Sequence, residues 1–511
     1  METDAGKTME TLSETFKLHD KYQLEMKFTY PFDRTRKLNS YHVDTYLFFP
    51  SSLGLSPASY TKADFYADMQ EYIRLKTPVV LLRGMMKGED SPFCKLEQAM
   101  RSLAEQPEER ARKDLYTERL KMFCSIMRSA LRDEEQFLER SVRSINFKTL
   151  IEKYLDSSET ILKEFRGLRM IVELPGISAV TVEFFNRVDE FLSITANKYR
   201  YKLWNFLNTE NPEGWNEEIK GRLVTVIREE IAYRQACGYP SIPDPDGDYE
   251  ELIYRESSLK KVMASVLFLK TTTRRDGVFL ENLVFGIAAG IAMTFATVIT
   301  FLTQHLLFSE LSTLFFLIVV VSYVGKDRIK DCLKGFLQAR VRRFLYDFKT
   351  EIRSGLGKKV GSCKESVAFV NELRVDPQIL KVRHREYMAE MVNGGFGESV
   401  ILARKHVTLS SWNCRNLFVD FKVDGIVDIM RLNVRKFLWK MDNPLREVFL
   451  PDEQGGIRMV RGKRVYHINI IIKYGMEGRE DSYARYRIVL SRNGIKRIDT
   501  FPIVTSLNGV I

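Results

Sequence analysis

The stretch FGIAAGIAMTFATVITFLTQHLLFSELSTLFFLIVVVSYV, residues 285–324, decides how the whole chain is read. Asn282 to Ser309 is a run of 28 residues without Asp, Glu, Lys or Arg, and Leu311 to Gly325 is a second run of 15. At about 1.5 Å per helical residue these measure about 42 and about 22 Å, against about 30 Å for a hydrocarbon core. A turn at Glu310 leaves the first too long and the second too short, whereas a turn near Thr303-Gln304-His305 evens them. The expectation is a two-helix transmembrane hairpin over 278–325, with spans at about 281–302 and 306–325 and Glu310 near the outer headgroups. A buried hairpin in a soluble core is the competing reading, and the scarcity of polar positions opposes it.

The flanks orient such a hairpin. Lys260, Lys261, Lys270, Arg274 and Arg275 precede it, Lys326, Arg328, Lys330 and Lys334 follow it, and the turn has no Lys or Arg. The positive-inside rule then places both termini in the cytoplasm. The N-terminus, METDAGKTMETLSETFK, is polar and acidic, unlike a signal peptide. A bacterial inner membrane is the default placement.

Within span one, Gly286 and Gly290 form GxxxG, and Ala288, Ala292 and Ala296 repeat every four residues. Small residues at that period let helices approach closely, either within the hairpin or against another subunit. A two-span chain encloses no pore alone, so a channel would need an oligomer.

Residues 325–359 carry eleven Lys or Arg against four Asp or Glu, a net +7 out of the total +11. Apolar residues from Ile329 to Ile352 keep helical spacing. This predicts a basic juxtamembrane helix, with Lys326, Arg328, Lys330, Lys334, Arg340, Arg342 and Arg343 as contacts to an anionic leaflet. The competing reading is an apolar stripe packed on the protein with its charges solvated. Nucleic acid is disfavoured as a partner, because no recognised motif accompanies the patch.

Upstream, QLEMKFTYPF and SYHVDTYLFFP read as a strand pair, and from about Lys62 the pattern is helical. Beyond about residue 398, VILARKHVTLSS, VYHINIIIKYG and SYARYRIVLS read as strands, and SRNGIKR supplies an Asn-Gly turn. The fold class expected is therefore an α+β integral membrane protein. Its segments are a polar N-terminus and β-hairpin (1–60), a helical cytoplasmic domain (61–277), the hairpin (278–325), a basic helix and connector (326–392) and an antiparallel β-rich domain (393–511). The N-terminal strands are candidates to join the C-terminal sheet.

Searches for chemistry find little. The six cysteines are widely spaced without a CxxC pair, which predicts reduced thiols and no zinc site. DPDGD at Asp244–Asp248 lacks EF-hand spacing, and GLGKKVGS and NGGFGES match no phosphate-binding loop. The histidines never approach HxxxH, there is no GxSxG elbow, and Asp420-Phe421-Lys422 is a lone DxK. No catalytic, cofactor or metal residue is singled out, and no cofactor is expected. The leading function is a membrane-anchored, cytoplasm-facing scaffold, adaptor or sensor, with a homo-oligomer and an unidentified cytoplasmic protein as partners. A membrane-anchored enzyme acting on a phosphate- or lipid-bearing substrate is the alternative, and an oligomeric channel component is the third reading.

Overall fold

The computed structural model describes residues 12–210, 217–244, 247–307, 313–342, 345–355, 357–383, 397–415, 421–451 and 456–502. It divides into two units, Met1–Ile73 with Lys270–Asn413 and Asp428–Ile511, and Arg74–Leu269 with Cys414–Val427.

The first unit is built on antiparallel sheets. Its strands are β1 (Ser13–Leu18), β2 (Gln23–Pro31), β3 (Leu38–Pro50), β4 (Met69–Leu75), β5 (Lys270–Arg275), β6 (Phe348–Arg353), β7 (Lys359–Val370), β8 (Glu398–Ser410), β9 (Gly425–Asn433), β10 (Leu445–Pro451), β11 (Ile457–Lys463), β12 (Tyr466–Met476), β13 (Ser482–Ser491) and β14 (Gly494–Thr500). An eight-stranded sheet runs β14-β13-β12-β3-β8-β7-β6-β5, a four-stranded sheet runs β1-β2-β9-β4, and β10 and β11 make a separate ribbon. The N-terminal strand β3 lies at the centre of the large sheet, with Val43 opposite Lys405 of β8 and Tyr474 of β12.

Period-two alternation explains why the large sheet has two buried faces. Tyr46 and Phe48 of β3, Val400 and Leu402 of β8 and Ile471 of β12 pack with Ile379, which belongs to the short helix Pro377–Arg383. The intervening residues Val43, Leu47 and Val407 are equally buried on the other face. The helix α1 (Lys62–Asp68) leads into β4 and opens on a capping box, in which Thr61 and Asp64 bond reciprocally to each other's backbone N–H.

The second unit is helical, with α2 (Pro92–Glu105), α3 (Arg110–Arg140), α4 (Phe147–Gly167), α5 (Arg169–Val172), α6 (Ala179–Glu210), α7 (Glu217–Ala236) and α8 (Glu250–Ala264). Its core stacks Phe123 on Phe165 and Phe165 on Phe185, at ring separations of 5.7 and 4.8 Å. Beside these rings lies the buried carboxylate of Asp189. It accepts from Arg166 Nε at 3.1 Å, Tyr233 Oη at 2.6 Å and Tyr239 Oη at 2.8 Å.

The apolar stretch forms an antiparallel helix pair in the first unit, α9 (Val278–Leu302) and α10 (Thr313–Arg342), and here the membrane expectation is corrected. Among the described residues one helix, Val278–His305, is long and apolar enough to cross a bilayer, with mean hydropathy 2.1. Two features overturn the two-span hairpin. The first helix continues through a π-turn at Thr303–Leu307, using residues that a second span would need. Only Thr313 to Gly325 of α10 then precedes Lys326, which at about 1.5 Å per residue is about 20 Å, short of about 30 Å. The pairing register is the second reason. Phe295 lies 3.7 Å from a Cβ position at Gly325, and Lys334 Nζ lies 4.4 Å from the ring centre of Phe285. The charges from Lys326 to Lys334 therefore stand level with the apolar residues 285–295 of α9, where hydrocarbon would exclude them.

The integral-membrane placement, the bacterial inner membrane and the cytoplasmic position of both termini fall with the hairpin. The orientation argument needs two crossings, and one crossing would separate the termini. The α+β character of the chain stands. The basic helix is also shorter than its periodicity suggested. It ends at Arg342, and Phe348 and Ile352 belong to strand β6. Both are large apolar residues that serve a half-buried strand as well as a helix face.

Candidate functional site

Strand alternation carries charged residues into the dry layer between the two sheets. In β8 the inward series is Ile401, Ala403, Lys405, Val407 and Leu409; in β9 it is Ile426, Asp428, Met430 and Leu432; in β4 it is Met69, Glu71, Ile73 and Leu75. β7 adds Cys363 and Glu365, and Glu365 lies directly opposite Lys405 in the ladder. One ammonium thus meets three carboxylates inside the first unit.

Lys405 Nζ lies 2.9 Å from Glu365 Oε1, 2.5 Å from Asp428 Oδ2 and in close contact with Glu71 Oε1, with Met430 Sδ at 3.6 Å. Lys405 is 5% exposed and Asp428 1%. Tyr30 of β2 is fully buried, and neither its hydroxyl nor Asp428 Oδ1 has a hydrogen-bond partner among the described residues.

Burial alone would lower the Lys405 ammonium, but Asp428, Glu365 and Glu71 outweigh it and hold it well above the ordinary value. Glu71 is pushed up to about 8 by burial, with Asp428 and Glu365 adding to the effect. Burial also raises Asp428. Burial opposes ionisation of Glu365 as well, but Lys405 outweighs it and holds Glu365 below the usual carboxylate range. At neutral pH the arrangement is a Lys405–Glu365 ion pair beside the Glu71 carboxyl, which retains a proton, and Asp428, whose burial opposes its ionisation. Three full negative charges on one ammonium in a dry layer would be far less favourable.

This chemistry suits structure better than catalysis. A lysine nucleophile must be neutral, and Lys405 is held protonated. The adjoining cavity, lined by Thr45, Glu71, Glu365 and Lys405 among apolar side chains, is about 50 Å³. That is room for a few waters and too small for an organic substrate. Glu71, Cys363 and Glu365 bring donor atoms within 4.8 Å of one another, a spacing compatible with a metal ion. The Lys405 ammonium, however, already engages both carboxylates of that set.

The raised Glu71 carboxyl makes a signed prediction. Between about pH 4.5 and about 8 the folded state binds a proton that the unfolded state has released, so this group's stabilisation declines as pH rises through that window. The slope is at most about 1.4 kcal/mol per pH unit. Urea unfolding of the wild type and of Glu71→Gln from pH 5 to 9 checks it. The expected outcome is that the wild type loses stability relative to the variant as pH rises, then runs parallel to it above about pH 8. Parallel curves throughout would refute the proton retained on Glu71.

The residues singled out from the sequence divide differently. Ala288 and Ala292 are fully buried within the helix pair, and Ala296 is half-buried. Gly286 and Gly290 lie on the opposite, exposed side, where a Cβ would meet nothing within 4 Å. Of the basic residues, Lys326 stacks over Tyr323, Lys330 pairs with Asp327 at 3.4 Å, Lys334 lies over Phe285, and Arg342 pairs with Glu281 at 3.2 Å. Arg328 and Arg340 are exposed on α10. Arg343 lies outside the described residues, as do Asp420 and Glu310. None of the six cysteines is joined in a disulfide among the described residues.

The Lys405 cluster was missed at the sequence level, although a signal was present. Each of its charged members occupies an inward phase otherwise filled by apolar residues. Comparison with known protein families, with characterised proteins and with solved structures gives no match.

Proposed function

We propose that the protein is a non-catalytic scaffold that self-assembles through the outer face of α9, with a second copy of the chain as the occupant. The observation that carries this reading is the pair Gly286 and Gly290. Glycine within an exposed helix costs about 1 kcal/mol relative to alanine, and a Cβ at either position would meet nothing within 4 Å among the described residues. Their absent side chains leave a shallow groove that admits another backbone.

The surrounding face fits the same reading. Phe279, Leu283, Met293 and Phe301 share the glycine side of the helix and are 81, 48, 57 and 59% exposed. On α10, Phe316, Leu317, Val320 and Val321 are exposed as well. A strip about 10 Å wide along α9 and the apolar half of α10 amounts to about 600 Å². That stands at the upper end of the about 300–600 Å² of a typical monomer's largest apolar patch and approaches the ~800 Å² per partner of a stable interface. Grooves and ridges on one helix face are self-complementary, as a two-fold interface requires.

Light scattering of Gly290→Leu tests the reading. A leucine there has open space in the monomer, so the thermal midpoint should hold or rise while the wild-type oligomer dissociates. An unchanged oligomer mass would reject this face as the interface. As an internal contrast, Ala292→Leu should lower stability by about 1–3 kcal/mol, because its Cβ is already enclosed.

A further inference from the structure

A cleft of about 420 Å³ opens in the first unit near the N-terminal end of α9, and its walls carry charge in an ordered way. The acids are recessed: the side chains of Glu281, Asp276 and Asp347 are 12, 14 and 25% exposed. Their basic partners stand outward, with Arg275, Arg342 and Lys62 at 56, 54 and 53%.

The pairing leaves a positive excess. Lys62 Nζ lies 2.8 Å from Asp347 Oδ1, and Asp347 Oδ2 also accepts from Tyr66 Oη at 3.1 Å and the Val367 backbone N–H at 2.8 Å. Asp276 is balanced by Lys364 at 3.8 Å. Glu281 alone serves two guanidiniums through one oxygen, Oε1, at 3.1 Å from Arg275 Nη2 and 3.2 Å from Arg342 Nε. Among the described residues, one guanidinium charge is left uncompensated at the mouth. Each arginine commits a single nitrogen to Glu281, and its other nitrogens make no further hydrogen bond among the described residues.

We propose that this cleft binds a phosphate group, with its oxygens held by Arg275 and Arg342, whose shared pairing with Glu281 leaves one positive charge to meet the anion. Arginine forks match phosphate oxygens in geometry and charge, and Glu281 fixes two forks from β5 and α10 beside one another. Glu281 orients the arginines at the cost of repelling the anion, so its charge limits affinity. The phosphate comes either free in solution or on a lipid headgroup.

The test uses the full chain. Inorganic phosphate is titrated calorimetrically, and vesicles of phosphatidic acid in phosphatidylcholine are compared with phosphatidylcholine alone. Arg275→Gln and Arg342→Gln should each weaken binding about tenfold or more. Glu281→Gln should strengthen it, a gain that a misfolded variant does not produce. Binding of inorganic phosphate with this pattern identifies a soluble ligand. The same pattern with phosphatidic-acid vesicles alone identifies a headgroup. No saturable binding of either probe overturns the proposal, as does binding indifferent to the two arginines or weakened by Glu281→Gln.

Discussion

Lys405→Met is expected to destabilise the protein by about 3–5 kcal/mol, the usual consequence of stranding buried charge. The substitution keeps an unbranched side chain, one atom shorter, but removes the cation that faces Glu365, Asp428 and Glu71. The loss has a diagnostic pH dependence. Acid protonates the stranded carboxyl groups, so the deficit should shrink as pH falls. Adding Glu365→Gln and Asp428→Asn to Lys405→Met should restore more than half of the loss, because a buried ionic group replaced whole is often nearly neutral. Urea midpoints of the three proteins at pH 5 and pH 8 measure this. A Lys405→Met protein as stable as the wild type at pH 8 would show that the ammonium is dispensable.

Asp189→Ala should produce a loss of similar size in the helical unit. That carboxylate is fully enclosed and accepts hydrogen bonds from Arg166, Tyr233 and Tyr239. Removing it leaves two phenols short of an acceptor. Arg166 keeps its bidentate bonds to Glu230 at 3.0 and 2.9 Å, and its guanidinium still lies 3.5 Å from the centre of the Tyr233 ring. Unsatisfied buried donors cost about 1–3 kcal/mol each, so the expected total is about 3–5 kcal/mol. Asp189→Asn should recover part of it, since its carbonyl oxygen still accepts. Hydrogen exchange confined to residues 74–269 would show whether the effect is local. Exchange unaffected by Asp189→Ala would mean that the network is not what holds those helices.

How much of this was legible depends on the kind of signal. The strand β12, HINIII, and the Asn-Gly turn before β14 are written in local alternation and turn chemistry. The long helices α3, α4 and α6 are legible from three- and four-residue spacing. The pairing of β3 with both β8 and β12 is not local, so the sequence offers it only as one possibility. The helix pair misled for a definite reason. Uncharged length is read from one run at a time, whereas the register of α9 on α10 sets charges beside apolar residues and is a tertiary property. Phe348 and Ile352 prolonged the apparent helix, because a short strand and one more helical turn present the same residues.

The Lys405 cluster was legible only in part. A lysine in the apolar phase of VILARKHVTLSS is a local anomaly, and so is an aspartate in the apolar phase of GIVDIMRLN. That they meet one another depends on how two sheets face, which no spacing encodes. The Arg275–Glu281–Arg342 triad has the same character. Six residues separate the first two members and sixty-one the last two. Only the antiparallel return of α10 brings them to one cleft.

The scaffold reading rests on the glycine face of α9, and sedimentation velocity of the full chain over a concentration series tests it most directly. The account predicts a reversible shift from monomer to dimer that Gly286→Leu and Gly290→Leu abolish without lowering the melting temperature. A protein monomeric at every concentration, or one that remains monomeric and floats with lipid vesicles instead, would contradict it.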